Sequence, residues 1–453
     1  MDISEDNDLM LHQALETGIC LGLPGISIAI GKTSSSSSSS SLLWSGSKGF
    51  SELETKQAMS STEHSFCIGS ITKTFVAVVI LQLVEEGKLD LNKTVLDYLR
   101  RPTAAEAATS STSASTDDWL CYELVSKVPN SQRATLRHLL CHQSGIPTWE
   151  FQPDWIRAGR GADIVDEDKI WTKLETLTFL VPPPNDGDIN QNDNDDDYSA
   201  TTATFFPGQC FSYSNTNYTL LGLVIEHVTG NEASMEIRNR ILEPLELTSA
   251  YLDSFEKLPA NSNSRLPSHY HFATSAFRKS AGVSPLFSSL PHHHPCLINT
   301  SRANFSTEWT AGGLVMTMPD LWTYAQALLQ RRGDGSSRLL SKAMLDEMKT
   351  YRPPASDIVG EDSAGTKGKR LNDSGDYYCS GICKHLEQQQ ISWGHGGLTL
   401  GFSSNMVYLE DSDVIVTCAT NVGSMHSGFP EGRSPWNLFV SQVLMPAVKE
   451  YIS

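Results

Sequence analysis

The sequence lacks a run of apolar residues long enough to cross a lipid bilayer. Its longest run, from Phe75 to Val84, contains a glutamine and falls short of the roughly 20 apolar residues that a membrane-spanning helix needs. A secretory signal is also missing, because the chain opens on Met-Asp-Ile-Ser-Glu-Asp rather than on a basic segment followed by an apolar one. We therefore expect a cytoplasmic protein without a membrane span.

The nine cysteines lack the spacing of a disulfide framework or a zinc site. Their number is odd, and no pair has the Cys-x-x-Cys spacing. Without a signal segment, they are interpreted as reduced thiols. The triplet His292-His293-His294 lies in an irregular polar segment and indicates a solvated loop rather than a metal site. The acidic stretch from Asn185 to Asp197 lacks the spaced ligands of a calcium loop. We expect no metal and no cofactor.

Basic residues are too few for a nucleic-acid-binding protein. The chain has 34 basic and 52 acidic residues, which gives a formal charge of −18. Such a field repels a phosphate backbone or an anionic membrane, so neither is expected as a partner. The favoured interpretation of the negative charge is a solvated acidic surface. At 453 residues, of which 39% are hydrophobic, the chain can still bury a sizeable core.

The N-terminal part predicts a β-hairpin followed by a buried helix. Gly25 to Ile30 alternates as a strand does, and the apolar pattern resumes at Leu42 after a run of eight serines. A serine-rich hairpin tip is tolerated because the entropy of loop closure grows slowly with loop length. From Thr72 to Gly87 a wide apolar face predicts a helix that ends at the glycine.

The C-terminal part predicts two strands, Ser404–Leu409 and Val414–Asn421, followed by a helix over Trp436–Tyr451. Strands at both ends and helices between them favour an α+β fold. In it an antiparallel sheet is built from both chain ends, is flanked by helices and carries a mainly helical inserted region. We expect a single domain with an α/β part at about 12–88 and 305–453, a helical part at about 89–304, and low-complexity insertions at about 33–41, 104–118, 185–204, 262–307 and 356–375.

A serine that precedes a lysine by three residues is the first candidate for chemistry. A serine hydroxyl needs a base to become a nucleophile, and Ser-x-x-Lys spacing puts both side chains on one helix face. The motif occurs at Ser45, Ser70 and Ser254, but only Ser70, with Lys73, opens a long apolar helix. An ordinary helix cap is the alternative interpretation of Ser70 on this motif alone.

Two further motifs follow along the chain. Tyr213-Ser-Asn215 is the single Tyr-x-Asn among thirteen tyrosines, and a tyrosine beside a lysine ammonium can hold a lowered pKa and act as a base. His395-Gly396-Gly397 precedes the closing strands. Small residues there would let a substrate approach, and the N–H of Leu398 could form an oxyanion hole with that of Ser70. Taken alone, either motif is more often structural.

In this order the three motifs resemble those of the serine β-lactamase and penicillin-binding-protein superfamily, above all its class C β-lactamases, DD-peptidases and related esterases. The resemblance covers roughly residues 12–450 and implies a β-lactamase/transpeptidase-like fold. Further stretches that agree with the family are Thr135–Gly145, Ala311–Asp320 and Gly394–Phe402.

The resemblance implies a role for each matching residue. Ser70 matches the serine that is acylated, Lys73 the lysine that helps to deprotonate it, and Tyr213 the general base and acid. Asn215 matches the amide that contacts lysine and substrate. His395 stands where true β-lactamases carry the lysine of Lys-Thr-Gly, as in the esterase and peptidase-like relatives, and a neutral histidine is a poorer partner for a β-lactam carboxylate.

These motifs predict a serine hydrolase that acts on a small-molecule ester, lactone or amide through an acyl-serine intermediate. An acyltransferase would use the same acyl-enzyme and exclude water, and the sequence does not separate the two. A β-lactam-binding protein that deacylates slowly also remains open. A non-catalytic binding or scaffold protein of the same fold is a further alternative. The physiological substrate and the oligomeric state are not encoded in any motif.

Overall fold

The computed structural model describes residues 5–33, 41–99, 114–181, 203–260, 262–292, 296–355, 376–387 and 389–453. The β-strands are β1 (Gly25–Lys32), β2 (Ser41–Glu52), β3 (Gln57–Ala58), β4 (Phe66–Cys67), β5 (Tyr251–Leu252), β6 (Tyr270–Phe272), β7 (Ser288–Ser289), β8 (Leu297–Asn299), β9 (Leu314–Met316), β10 (Asp376–Tyr378), β11 (Cys383–Glu387), β12 (Gln390–Leu398), β13 (Ser403–Leu409), β14 (Val414–Thr420) and β15 (Val422–Gly423).

The α-helices span Glu5–Cys20, Thr72–Glu85, Val95–Tyr98, Ala114–Lys127, Leu136–Leu140, Pro153–Arg160, Asn215–Thr229, Ala233–Ile237, Ser275–Ser280, Trp309–Gly312, Met318–Leu329, Lys342–Lys349, Pro435–Leu438 and Met445–Ile452. Shorter 3₁₀ turns lie at Gly69–Ile71, Trp149–Phe151 and Glu175–Leu180, and π-helical turns at Arg238–Leu242 and Phe439–Leu444.

One antiparallel sheet joins the two ends of the chain. Its strand order is β10-β11-β12-β13-β14-β1-β2-β3, so that β1 pairs with β14 on one side and with β2 on the other. The predicted hairpin is formed by β1 and β2, and the predicted closing strands are β13 and β14. The predicted α+β fold, with a sheet built from both chain ends and flanked by helices, is therefore confirmed.

The sheet separates two apolar cores. In β1, Ile26, Ile28 and Ile30 face the core that is covered by the Glu5–Cys20 helix and the C-terminal helices, whereas Ala29 belongs to the larger core on the other face. This alternation follows from the two-residue period of a strand. Burying one such isoleucine side chain contributes roughly 2 kcal/mol. Both faces of the sheet are thus covered, which fixes its register.

The Thr72–Glu85 helix crosses the larger core. Most of its side chains are buried, from Thr72 to Leu81 without interruption. An apolar surface on every side suits a helix that is enclosed by other elements. The helix ends two residues before the predicted limit because Gly87, at φ +72°, adopts the left-handed conformation that closes a helix.

Two regions differ from the sequence-based expectation. The Glu5–Cys20 helix was not predicted, although Leu11 and Leu15 have the four-residue spacing of a helix face and are fully buried. Residues 262–307 were expected to form an irregular insertion. Instead the described part contains β6, β7 and β8, which form a small sheet with β15, because buried aromatic side chains such as Tyr270 anchor it to the second core.

The insertions predicted at 33–41, 104–118, 185–204 and 356–375 fall wholly or largely outside the described residues, as do His293 and His294. The division into an α/β part and a helical part stays a prediction. Within the described ranges, no helix combines the length and the apolar character that a bilayer crossing requires. The same ranges contain no group of three or more His, Cys, Asp or Glu side chains arranged to hold a metal ion.

Candidate active site

Ser70 lies on the 3₁₀ turn Gly69–Ile71, directly before the buried Thr72–Glu85 helix. Gly69 takes φ +54°, and a Cβ on it would lie 2.7 Å from the backbone nitrogen of Leu398. The Ser404 hydroxyl donates a hydrogen bond of 2.8 Å to the carbonyl of Ile68. The turn is therefore held against the sheet, and Ser70 faces a pocket of about 810 Å³.

Lys73 is fully buried one helical turn after Ser70. Its Nζ donates to Ser70 Oγ at 2.9 Å, to Asn215 Oδ1 at 2.7 Å and to the carbonyl oxygen of Ala311 at 2.6 Å. Burial lowers the pKa of Lys73 to about 7, while the charges of Glu150 and Glu308 oppose that shift. The neutral amine is consequently accessible near neutral pH, and it lies within reach of the Ser70 proton.

Tyr213 borders the same cluster. Its ring centroid lies 5.0 Å from Lys73 Nζ. The hydroxyl oxygen is buried and makes no hydrogen bond of normal geometry within the described residues, although the nearby Ser70 side chain partly offsets the shift in its pKa. Burial raises the pKa of Tyr213 well above 10, so the sequence-based expectation of a lowered tyrosine pKa is wrong. Desolvation is the largest cause of the shift, so the phenol stays protonated.

Asn215 begins the Asn215–Thr229 helix and has both ends of its amide committed. The oxygen accepts from Lys73, the nitrogen donates to Glu150 Oε2, and the backbone N–H donates to Thr148 Oγ1 at 3.2 Å. These contacts fix the orientation of the amide. The loop before the helix is therefore positioned by the Thr148–Glu150 segment as well as by Lys73.

His395 lies on β12 and is almost fully buried. Its Nδ1 lies 2.6 Å from the carbonyl oxygen of Gly396, which can only accept, so Nδ1 carries the proton. Nε2 then accepts from the Tyr378 hydroxyl at 3.0 Å. Burial, helped by the charge of Lys73, lowers the pKa of His395 to about 3. The ring is neutral at physiological pH and offers no positive charge to an anionic substrate.

Gly396, Gly397 and Leu398 continue β12 along the pocket wall, opposite the Ser70 turn. Gly397 lies directly against the carbonyl of Ile68, where a Cβ would overlap the oxygen. At Gly396 a Cβ would lie 3.5 Å from Asn405 Nδ2, an ordinary contact. Of these two strand glycines, Gly397 is thus the one that the close approach of strand and turn requires.

Substituting Gly397→Ala is expected to destabilise the fold by roughly 2 kcal/mol, because the added methyl group overlaps a backbone oxygen that the Ser404 hydrogen bond holds in place. Gly396→Ala on the same strand is the matched control and is expected to change stability by less than about 0.5 kcal/mol. Urea unfolding followed by circular dichroism measures both. Equal stability of the two variants would contradict the proposed packing.

The structure places all eight sequence-predicted site residues together and adds others. The predicted residues are Ser70, Lys73, Tyr213, Asn215, His395, Gly396, Gly397 and Leu398. Glu150, Tyr378 and His142 were not predicted as site residues. The ring of His142 lies 4.1 Å from that of Tyr213, centroid to centroid. His142 stands in a stretch that matches the family, whereas Glu150 and Tyr378 carry no motif and could not be found from spacing.

Other residues that match the same motifs differ in whether they line the pocket. Ser45 lies in β2 and Ser254 in a turn, and neither lines the pocket. His426, the other His-x-Gly match, does line it, although the loop in which it stands follows β15. Of the three serines, the one before the long buried helix is thus the one that lines the pocket.

Comparisons with known proteins identify the family of this chain. A family model described as beta-lactamase matches residues 20–433. Protein flp of Staphylococcus aureus is 26% identical over 247 residues, which cover 54% of this chain and 38% of that protein. The chain thus matches well under half of the length of this relative.

Two solved structures share the fold. A D-stereospecific amidohydrolase from Streptomyces sp. superposes with a TM-score of 0.63 at 24% identity and covers 92% of this chain and 94% of its own. A D-amino acid amidase from Ochrobactrum anthropi SV3, complexed with D-phenylalanine, gives 0.67 at 21% identity and covers 99% of both chains. These likenesses show that the chain shares the fold of the two proteins.

Proposed function

This chain belongs to the β-lactamase family, whose model spans residues 20–433, and on that premise we propose that it is a serine hydrolase acting on an ester, lactone or amide through an acyl-serine intermediate. The observation that carries the proposal is the 2.9 Å contact between Ser70 Oγ and the buried amine of Lys73. A nucleophile and a base within hydrogen-bond reach, at the wall of an open pocket, is the arrangement that acyl transfer requires.

In the first step, neutral Lys73 accepts the Ser70 proton while Oγ attacks the substrate carbonyl carbon. A bond forms between Oγ and that carbon, and the carbonyl electron pair becomes an oxyanion. The backbone N–H groups of Ser70 and Leu398 are proposed to stabilise it, since Leu398 lies against the turn that carries the serine. Lys73 is buried and already oriented towards Ser70, so the base does not have to be supplied by solvent.

In the second half of acylation, the oxyanion collapses and the bond from carbon to the leaving group breaks. Tyr213 is proposed as the proton donor to the departing oxygen or nitrogen, because its phenol stays protonated beside Ser70. Lys73 then returns a proton to the tyrosine. Water repeats the sequence on the acyl-enzyme, giving the free acid and restoring Ser70. His395 and Asn215 are proposed to orient the substrate and the lysine.

Trapping the acyl-enzyme tests the proposal directly. The protein is mixed with a chromogenic short-chain ester and, separately, with a chromogenic cephalosporin, and intact mass is recorded within seconds and after turnover. We expect a transient acyl adduct that peptide mapping assigns to Ser70, with faster turnover of the ester than of the cephalosporin because neutral His395 offers no charge to the β-lactam carboxylate.

Each other result changes the conclusion in a defined way. An adduct that persists until an alcohol acceptor is added would replace hydrolase by acyltransferase. A stable adduct with the cephalosporin alone would indicate a β-lactam-binding protein. Folded protein that gives neither turnover nor an adduct would contradict general serine hydrolysis and leave a selective acyltransferase or a non-catalytic binding or scaffold role.

A further inference from the structure

Glu150 is a buried carboxylate at the pocket that Ser70 faces. It lies on the Trp149–Phe151 turn, is 5% exposed, and lines the pocket together with Ser70, Tyr213 and His395. Its Oε2 accepts from Asn215, but its Oε1 is buried and has no hydrogen-bond partner among the described residues. Burying an acceptor without a donor costs free energy, so such a group points to a missing ligand.

The cations near Glu150 do not supply the missing donor. Lys73 already donates to Ser70, to Asn215 and to the carbonyl of Ala311. Arg160, the other buried cation, pairs with Glu308. Their charges lower the pKa of Glu150, but burial and the charge of Glu308 raise it to about 7 overall. One more positive group beside Glu150 would therefore stabilise its charged carboxylate.

The described lining of the pocket carries no fixed positive charge. Among the described residues that line it, Glu150 and Glu431 are acidic, and none is lysine or arginine. Its two histidines, His395 and His426, have pKa values lowered to about 3 by burial and are neutral. Aromatic faces suit a cation, and the aromatic lining residues other than tyrosine and histidine are Phe151, Phe211, Phe429 and Trp436. The surroundings favour a cationic ligand and disfavour a carboxylate.

A chain of hydrogen bonds connects the Glu150 carboxylate to the reacting serine. Asn215 bridges Glu150 to Lys73, and Lys73 in turn contacts Ser70 Oγ. The side chains of Asn215 and Lys73 thus lie between the Glu150 carboxylate and Ser70 Oγ. A group bound at Glu150 belongs to the part of the substrate next to the scissile carbonyl, not to a distant end.

We propose that Glu150 binds a protonated amino group of the substrate close to the scissile carbonyl, so that the substrates are esters or amides of amino acids or peptides with a free amine. This inference rests on the proposed acyl-serine chemistry and names its substrate class. A bound ammonium has a second effect, because a positive charge beside Lys73 disfavours protonation of that lysine. The substrate would thereby help to keep the base neutral.

Three matched substrates test the proposal: the methyl esters of racemic phenylalanine, of N-acetylphenylalanine and of 3-phenylpropanoic acid. Hydrolysis is followed by acid release at about pH 6.5, below the usual pKa of an α-amino group. In the wild type we expect kcat/KM for the free amine to exceed that for each of the other two, after correction for spontaneous hydrolysis. In Glu150→Gln this preference is expected to fall by roughly 30-fold or more, because a desolvated charge pair is lost.

Glu431→Gln is the matched control, since it removes the other carboxylate that lines the pocket. The preference for the free amine should persist in it. If Glu431→Gln abolished the preference while Glu150→Gln kept it, the assignment to Glu150 would be overturned. Equal or better turnover of the N-acetyl ester by the wild type, unchanged in Glu150→Gln, would also overturn it.

A binding measurement separates this inference from the proposed function and does not depend on turnover. Calorimetry compares 2-phenylethylamine with 3-phenylpropanoate as ligands of the wild type and of folded Glu150→Gln. We expect the amine to bind the wild type more tightly than the carboxylate does and to lose affinity in the variant. Failure of the amine to bind the wild type overturns the inference. If the amine binds but no ester acylates Ser70, the proposed acyl-serine chemistry is contradicted and the amine-binding role of Glu150 is kept.

Discussion

Replacing Ser70 with alanine is expected to lower kcat/KM for the preferred ester by roughly 10⁴- to 10⁶-fold and to abolish the mass adduct. The substitution removes the oxygen that forms the acyl bond, and Lys73 keeps its contacts with Asn215 and with the carbonyl of Ala311. The fold should therefore survive, which circular dichroism verifies. Steady-state kinetics on purified protein and intact mass after mixing are the two measurements.

Ser254→Ala is the matched control for the nucleophile. Ser254 also precedes a lysine by three residues, but it lies in a turn at φ +67° and does not line the pocket. Its replacement is expected to leave kcat/KM within about twofold, which is the usual range for a site outside the chemistry. An adduct that remains in Ser70→Ala, or one that is lost in Ser254→Ala, would show that the acylated residue has been assigned wrongly.

Lys73→Met is expected to lower kcat/KM by roughly 10²- to 10⁴-fold, the usual contribution of a general base. Methionine has similar length and removes a buried amine without adding a charge, so the variant should remain folded. The pH profile of the wild type gives a second readout. Since burial lowers the pKa of Lys73 to about 7, the protonated and inactive form accumulates below that pH, and kcat/KM should fall as the pH drops through it.

Two carboxylates, Glu150 and Glu308, raise the pKa of Lys73 against the effect of burial. The phenols of Tyr213 and Tyr218 and the rings of His142 and His395 also surround the amine. In Lys73→Met the limb near neutral pH should disappear. A limb near or above pH 10 in the wild type would instead identify the Tyr213 phenolate as the base. Lys48→Met, which changes the exposed lysine of the Ser45 motif, controls for loss of a positive charge.

The sequence predicted those elements that are determined by a pattern of neighbouring residues. Alternation over Gly25–Ile30 and the apolar face after Thr72 identified a strand and a helix because each period is carried by neighbouring residues. The Glu5–Cys20 helix was missed although Leu11 and Leu15 indicated it. The small sheet within 262–307 was missed for a different reason. Its strands have two or three residues each and are stabilised by contacts with distant segments.

In the candidate site, too, the motifs were predictable from the sequence, whereas features that depend on tertiary packing were not. Motif order brought Ser70, Lys73 and Tyr213 into one hypothesis, but the protonation state of the tyrosine depends on burial, which no spacing encodes. Glu150 was not found because its importance lies in an oxygen that has no partner among the described residues once the Trp149–Phe151 turn packs against Asn215. A role that depends on which buried polar atoms have hydrogen-bond partners can be recognised only from the folded structure.

The hydrogen bond between Ser404 and Ile68 has a consequence for how activity is acquired. It links residues that are 336 positions apart, and β12, which forms the pocket wall, comes from the same distal end of the chain. A contact of that separation costs much chain entropy and is typically slow to form. A fragment that ended before β12 would contain both the Ser-x-x-Lys and the Tyr-x-Asn motifs but no wall opposite the serine. We therefore expect a chain truncated before β12 to lack the proposed activity.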